Sequence, residues 1–228
     1  MAVRRTNRSR KRRFKDELYA AVARAPAALA NGHRLELLDL LSQRPRTVQD
    51  VAAEAGITVA NASQHLQVLA RCGLVAVERR GTFAHYRAAG PAVYRLLVEL
   101  RAVAEAADAS VADAEQAYFG PREPGIRTID AARDALADAR TALLDARPRE
   151  EYEEAHLPGA ISAPLDALRS GKVALPRSKQ YVVYCRGPYC VFADEAVALL
   201  RERGLDARRL SLGPAEWVAA GGDVQRVG

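Results

Sequence analysis

Tyr181-Val182-Val183-Tyr184-Cys185-Arg186-Gly187-Pro188-Tyr189-Cys190 is the stretch on which the reading of this chain turns. Tyr181 to Tyr184 are β-favouring residues and predict a buried strand. Gly187-Pro188 predicts a turn, and the pattern beyond Cys190 predicts a helix over 191–203. Cys185 then falls between a strand end and a helix start, among free backbone N–H groups and near the positive end of a helix dipole. Such a setting favours the thiolate, the nucleophilic form of cysteine.

Working outward, the C-terminal half alternates strands and helices. The pattern predicts helices over 129–138, 150–154 and 215–219, and strands over 142–145 and 207–210. Alternation of this kind implies a parallel sheet with a site at the carboxyl ends of its strands. Before it lies Phe119-Gly120-Pro121-Arg122-Glu123-Pro124-Gly125, a Pro/Gly hinge, which puts a linker at 119–127 and a second domain at 128–228.

The N-terminal half is helical. An Ala-rich helix over 16–30 is closed by Asn31-Gly32, and a second over 33–43 carries Leu35, Leu37, Leu38 and Leu41 on one face. Thr47 caps a short helix over 48–55 that turns Val51 and Ala52 inward. After Gly56, Thr58 caps a helix to about Cys72 whose buried stripe is Ala62, Leu66 and Leu69. Two short helices joined by a Gly turn make a helix-turn-helix. The alternating residues on either side of Arg80-Gly81-Thr82 predict a β-hairpin, the wing of a winged helix. Pro91 then opens a long helix to about Tyr118, a candidate dimer surface that closes a domain spanning 16–118.

The chain has 228 residues and a net charge of +6. Eight Lys/Arg fall within residues 1–15, with no acid; elsewhere 26 basic residues face 28 acidic ones. The basicity therefore belongs to a tail, expected to be disordered and suited to phosphate backbones. No apolar run is long enough to span a bilayer and none reads as a signal peptide, so the expectation is a cytoplasmic protein without membrane contact. Three cysteines do not suggest a disulfide framework.

The runs Leu29-Ala30-Asn31-Gly32-His33-Arg34-Leu35-Glu36-Leu37-Leu38-Asp39-Leu40-Leu41 and Ala62-Ser63-Gln64-His65-Leu66-Gln67-Val68-Leu69-Ala70-Arg71-Cys72-Gly73-Leu74-Val75 resemble the ArsR/SmtB family of winged-helix repressors. The resemblance implies a homodimer on a double-stranded, inverted-repeat operator, released when a chemical signal is sensed. Asn61, Ser63, Gln64 and Gln67 are the outward side chains of the recognition helix and candidates for base edges. Arg79 and Arg80 on the wing are candidates for phosphates or the minor groove. His65 is read as a phosphate contact or a packing residue. Metal sites of that family need Cys pairs on the helix over 48–55 or His/acid sets on the helix over 91–118. Here the first has neither Cys nor His and the second has no His, so no metal and no cofactor are expected. Cys72 is read as packing.

The motif Leu143-Leu144-Asp145-Ala146-Arg147-Pro148-Arg149-Glu150-Glu151-Tyr152-Glu153-Glu154-Ala155-His156-Leu157-Pro158-Gly159-Ala160, followed by a cysteine loop, resembles a single rhodanese domain. The fold class expected is thus multidomain: a mainly-α winged helix-turn-helix, then an α/β rhodanese domain with a parallel sheet. In that family Asp145 and Arg147 are largely architectural, and Cys185 aligns with the persulfide-carrying residue. Its loop N–H groups, at Gly187, Tyr189 and Val191, are candidates to cradle the outer sulfur. The loop departs from the family pattern in holding Pro188 and Cys190 at its fourth and sixth places, where Gly and Arg are usual. Pro188 removes one N–H, and the missing Arg removes a cation for thiosulfate, which Arg186 compensates in part. Cys190 is a second thiol able to resolve a sulfur adduct on Cys185. Tyr184 and Tyr189 are expected to wall the pocket.

Two functions follow as expectations. One is a repressor whose Cys185, with Cys190, senses a sulfane-sulfur donor (persulfide, polysulfide or thiosulfate) or an oxidant. The other is a sulfurtransferase forming a Cys185 persulfide, with the winged helix controlling its own operon.

Overall fold

The computed structural model describes residues 2–120 and 125–227, apart from the side chains of residues 2–8 and of Arg80. Two compact units divide the chain: Met1–Leu41 with Pro45–Ala89, and Gly90–Gly228 with Ser42–Arg44. The helices after Gly90 thus group with the second unit, and residues 121–124 of the linker expected at 119–127 lie outside the described residues.

In the first unit, α1 (Ala2–Val22) includes the basic run that was expected to be a disordered arm. Salt bridges at i,i+4 spacing, Arg12–Asp16 at 2.6 Å and Arg13–Glu17 at 2.9 Å, stabilise helix there without an apolar stripe. After α2 (Arg24–Leu29) and α3 (Gly32–Gln43), the two-residue strand β1 (Arg46–Thr47) leads into α4 (Val48–Glu54). Thr47 and Asp50 form a capping box at the start of α4. The side chain of Thr58 accepts the Asn61 N–H at the start of α5 (Val59–Arg71). Leu37, Leu38, Leu41, Val51, Ala52, Ala62, Leu66 and Leu69 are all buried, as the periodicity required. β2 (Val75–Arg80) and β3 (Phe83–Ala88) form the wing, with Arg80 opposite Phe83 across a two-residue turn. β1 pairs with β3 to complete a three-stranded antiparallel sheet that the sequence reading did not anticipate; two residues are too few to show a period.

In the second unit, the single helix expected from Pro91 to Tyr118 is two: α6 (Pro91–Ala107) and α7 (Ala109–Phe119). Asp108 takes an extended backbone, ending α6, and its side chain accepts the Ser110 N–H to cap α7. α6 packs on the last helix of the chain, which is why it clusters with this unit. Then follow α8 (Ile129–Ala137), β4 (Thr141–Asp145), α9 (Arg149–Glu154), β5 (Ile161–Ser162), α10 (Leu165–Arg169), β6 (Gln180–Tyr184), α11 (Phe192–Glu202), β7 (Asp206–Arg209) and α12 (Pro214–Ala219). The sheet order is β5-β4-β6-β7, all parallel.

Successive residues of a strand face opposite sides of a sheet, and here both sides are buried. Tyr181, Val183 and Cys185 join one core cluster with Leu144, Leu168, Ala196 and Leu200. Val182 and Tyr184 join the other with Leu143, Leu157 and Trp217. Cys185 is therefore carried to the carboxyl edge of a central strand on the α11 side.

Candidate functional site

The cysteine loop runs from Cys185, at the end of β6, to Val191, the N-cap of α11. Cys185 is 1% exposed, and its thiol donates to the Cys190 carbonyl at 3.3 Å. Cys190 is half-buried. The two thiols act on one another, and backbone N–H groups favour the charged form of each: Gly187 and Ala193 for Cys185, Arg186 and Phe192 for Cys190. Of the N–H groups expected at Gly187, Tyr189 and Val191, that of Gly187 acts on a thiol, and those of Arg186, Phe192 and Ala193 were not expected.

The surroundings push the two thiols in opposite directions. Burial pushes the Cys185 thiol well up, and its bond and proximity to Cys190 push it further, against the two N–H groups. Cys190 is pulled down to about 7, first by the hydrogen bond from Cys185, then by the Arg186 and Phe192 N–H groups and the Arg186 charge, with burial opposing. The pair titrates as a unit. Being after a strand was not enough for Cys185, because the edge of that strand is inside the core.

The cation expected from Arg186 is directed elsewhere. Its Nη2 lies 2.7 Å from Oε1 of Glu151, a fully buried carboxylate on α9, and its Nε donates to the same group. The Arg186 side chain therefore fastens the loop to α9 and acts on Cys190 as a nearby charge, while its backbone N–H faces the Cys190 sulfur. Sequence reasoning missed Arg209 at the end of β7. Its Nη2 donates to the carbonyls of Pro188 (2.5 Å), Gly187 (3.4 Å) and Cys190 (3.5 Å), and its Nε pairs with Asp194 at 3.2 Å. No motif marks it; only the pairing of β6 with β7 brings it beneath the loop.

Two glycines permit this arrangement. Gly187 has φ +150°, and a Cβ there would lie 3.1 Å from the Glu216 carboxylate. A Cβ on Gly213 would lie 2.5 Å from the Arg186 carbonyl oxygen. Glu216 accepts the Gly213 N–H at 2.8 Å and pairs with Arg101 of α6 at 2.7 Å. Tyr189, largely solvent-facing, donates from its hydroxyl to Glu105 of α6 at 3.0 Å, and Arg101 lies over its ring. Burial and the Glu105 hydrogen bond push the Tyr189 hydroxyl up to about 12.

Tyr184 does not wall a pocket. It is fully buried, and its hydroxyl donates to Asp145 at 2.6 Å while accepting the Leu157 N–H. Asp145 and Arg147, both fully buried, pair at 2.6 Å, and Arg147 also donates to the Ala155 carbonyl. These bonds tie the ends of β4 and β6 to the 155–157 segment beneath the loop. Among the described residues no group of three or more His, Cys, Asp or Glu converges on a metal-sized site.

On the other unit, Asn61, Gln64 and Gln67 are exposed on α5 and Ser63 is half-buried beside them. Arg71, one turn beyond Gln67 and bonded to its carbonyl, extends this face and was not singled out from sequence. Arg79 is exposed on the wing; the Arg80 side chain lies outside the described residues. His65 is half-buried, its ring 5.9 Å from that of His33, and burial, then Arg34 and His33, lower its pKa. Cys72 is half-buried at the end of α5, 3.6 Å from the Arg24 carbonyl.

A winged helix-turn-helix followed by a four-stranded parallel domain with a strand-end cysteine loop defines the class, and the comparisons agree. The helix-turn-helix domain model matches residues 29–78 and the rhodanese-like domain model residues 128–220. The chain belongs to the HTH-type transcriptional regulators, in a form that joins a winged helix-turn-helix to a rhodanese-like domain. It is 42% identical over 207 residues to the HTH-type transcriptional regulator Rv0324 of Mycobacterium tuberculosis, covering 91% of each chain. Among solved structures, it is similar to the homodimeric winged helix-turn-helix DNA-binding domain of Mb0332 from Mycobacterium bovis. That match has 44% identity and a TM-score of 0.39, and covers 41% of this chain and 87% of that one. A rhodanese-related protein from Thermoplasma volcanium matches at 23% identity and a TM-score of 0.40, over 46% of this chain and 100% of that one.

Proposed function

We propose that this transcriptional regulator is a cytoplasmic homodimeric repressor whose rhodanese-like domain senses sulfane sulfur or oxidants through Cys185 and Cys190. The observation that carries this reading is the thiol pair itself: two cysteines in one loop before the N-terminus of α11, Cys185 buried and donating to the Cys190 carbonyl at 3.3 Å, Cys190 half-buried. A dithiol poised in this way converts to a disulfide after one encounter with a two-electron sulfur oxidant. Operator contact is assigned to Asn61, Ser63, Gln64 and Gln67 at base edges and to Arg79 and Arg80 on the backbone.

Sustained sulfur transfer fits less well. Cys185 is closed off from solvent, and the guanidinium groups around the loop, Arg186 and Arg209, are engaged with Glu151, with Asp194 and with loop carbonyls. Sulfide release during reaction with an organic persulfide separates the two functions. A sensor releases about one sulfide per chain and stops until reduced. Continuous turnover, read as thiocyanate with cyanide as acceptor or as sulfide with an excess of thiol, at a rate independent of DNA, would establish the sulfurtransferase instead.

A further inference from the structure

The first unit, which carries the helix-turn-helix and the wing, takes its positive charge from one element. Outside residues 1–15 it holds seven Lys/Arg against seven Asp/Glu, and residues 1–15 add eight Lys/Arg and no acid. A DNA duplex carries one negative charge per about 1.7 Å of its axis, and a neutral body gains little from that field. The basic run falls in α1, and the helix sorts its charges. Arg12 and Arg13 pair with Asp16 and Glu17. Arg4, Arg8, Lys11 and Lys15 stand at i, i+4, i+7 and i+11, a single face of a helix. At about 1.5 Å of rise per residue that face is about 16 Å long. Lys11 and Lys15 are exposed. Only Ala23 separates α1 from α2, and α2 packs on α5, so the basic face is tied to the helix assigned to base edges.

We propose that α1 is a second DNA contact, whose Arg4, Arg8, Lys11 and Lys15 bind duplex phosphates and supply most of the sequence-independent affinity. It adds to the base-edge and wing contacts assigned above, and it rests on DNA binding by the winged helix, not on the thiol pair. Contacts from Lys and Arg to phosphate carry no sequence information and fix only position. An anionic membrane surface also attracts a basic helix, but a helix that lies in the headgroup layer buries an apolar face there. From Arg4 to Arg13 no residue is apolar. Phe14, Leu18 and Val22, exposed at i, i+4 and i+8, begin where the basic run ends. The basic segment therefore matches a polyanion without an apolar layer. Each phosphate neutralised steepens the fall of log affinity with log salt by about 0.9, so four contacts per chain add about 3.6. Between about 50 and 200 mM salt that is about 150-fold in affinity.

The test is a salt titration of the full chain by fluorescence anisotropy, on a duplex selected from a random pool and on an unrelated duplex of equal length. One variant combines Arg4→Gln, Arg8→Gln, Lys11→Gln and Lys15→Gln, which keep helix propensity; a second combines Arg4→Lys, Arg8→Lys, Lys11→Arg and Lys15→Arg. The Gln variant is expected to lose about 3.6 per chain from the slope on both duplexes, leaving the ratio of their affinities unchanged. The charge-keeping variant is expected to keep the wild-type slope. A Gln variant with the wild-type slope would overturn the proposal and leave base reading by α5 standing. A loss confined to the selected duplex would overturn the assignment to phosphates, and a charge-keeping variant that falls with the Gln variant would overturn the charge argument. Wild type sedimenting with vesicles of phosphatidylglycerol and phosphatidylcholine, lost in the Gln variant while both keep equal slopes on DNA, would reassign the face to membranes. Wild type that binds neither duplex would overturn the proposal together with the DNA binding beneath it.

Discussion

Removing the Cys185 thiol should change the chemistry of Cys190, because the hydrogen bond from Cys185 is the largest cause of its lowered pKa. A hydrogen bond to a charged group contributes about 1.5–3 kcal/mol, and one pKa unit corresponds to about 1.36 kcal/mol. Cys185→Ala should therefore raise Cys190 by about one to two units, from about 7 to the ordinary thiol value of about 8.5 or above. At pH 7 its thiolate share would fall from about one half to about 3%. Intrinsic nucleophilicity grows with pKa by a Brønsted slope of about 0.4–0.5, which offsets part of that loss. The net slowing at pH 7 is then only about threefold, so the midpoint of the pH profile is the cleaner readout. The assay is iodoacetamide alkylation of Cys190 across pH, followed by peptide mapping, in wild type, Cys185→Ala and Cys185→Ser. Serine keeps a donor and should shift the midpoint less than alanine does. Equal midpoints in wild type and Cys185→Ala would refute the reasoning, leaving the backbone N–H groups to hold the charge alone.

Three further outcomes are expected. Asp145→Asn removes one member of the fully buried pair with Arg147 and should cost about 3–5 kcal/mol in a denaturant melt; a loss under about 1 kcal/mol would contradict the architectural role given to that pair. Gly187→Ala places a Cβ at positive φ against Glu216 and should cost about 1–3 kcal/mol while shifting the Cys190 alkylation midpoint; an unchanged melting temperature and midpoint would count against that packing. Gln64→Ala should lose about 1–3 kcal/mol of operator affinity and relax preference at one base pair, whereas Arg79→Ala should weaken all duplexes alike and lower the salt slope by about 1; the reverse pattern in a titration series would reassign the two residues.

Much of the fold was legible because its signals are local. Thr47 and Thr58 mark helix starts, the Ala62-Leu66-Leu69 stripe marks a helix face, and the strand before Cys185 is four β-favouring residues in a row. The break in the helix after Pro91 was not, since Asp108 ends α6 through one local cap inside an otherwise helical pattern. Nor was the helix of the basic run, which rests on ion pairs and not on apolar periodicity. At the site, the two thiols stand out in the sequence by their spacing, but their difference in burial does not. Which sulfur is buried depends on which side of β6 faces α11, and which N–H groups converge depends on the path of the loop. Arg209 and Gly213 act from 20 to 30 residues away along the chain and carry no signal of their own before β7 pairs with β6.

The central claim is that the state of the thiol pair sets affinity for DNA, and operator binding measures it directly. A duplex selected from a random pool by the reduced protein would be titrated, by fluorescence anisotropy, with reduced, persulfide-treated and re-reduced chains and with Cys190→Ser. The account predicts a loss of at least about tenfold on treatment, the scale of a coupling of about 1.4 kcal/mol, recovery on reduction, and no response in Cys190→Ser. Treated wild type with its Cys185–Cys190 disulfide formed and its DNA affinity unchanged would contradict it.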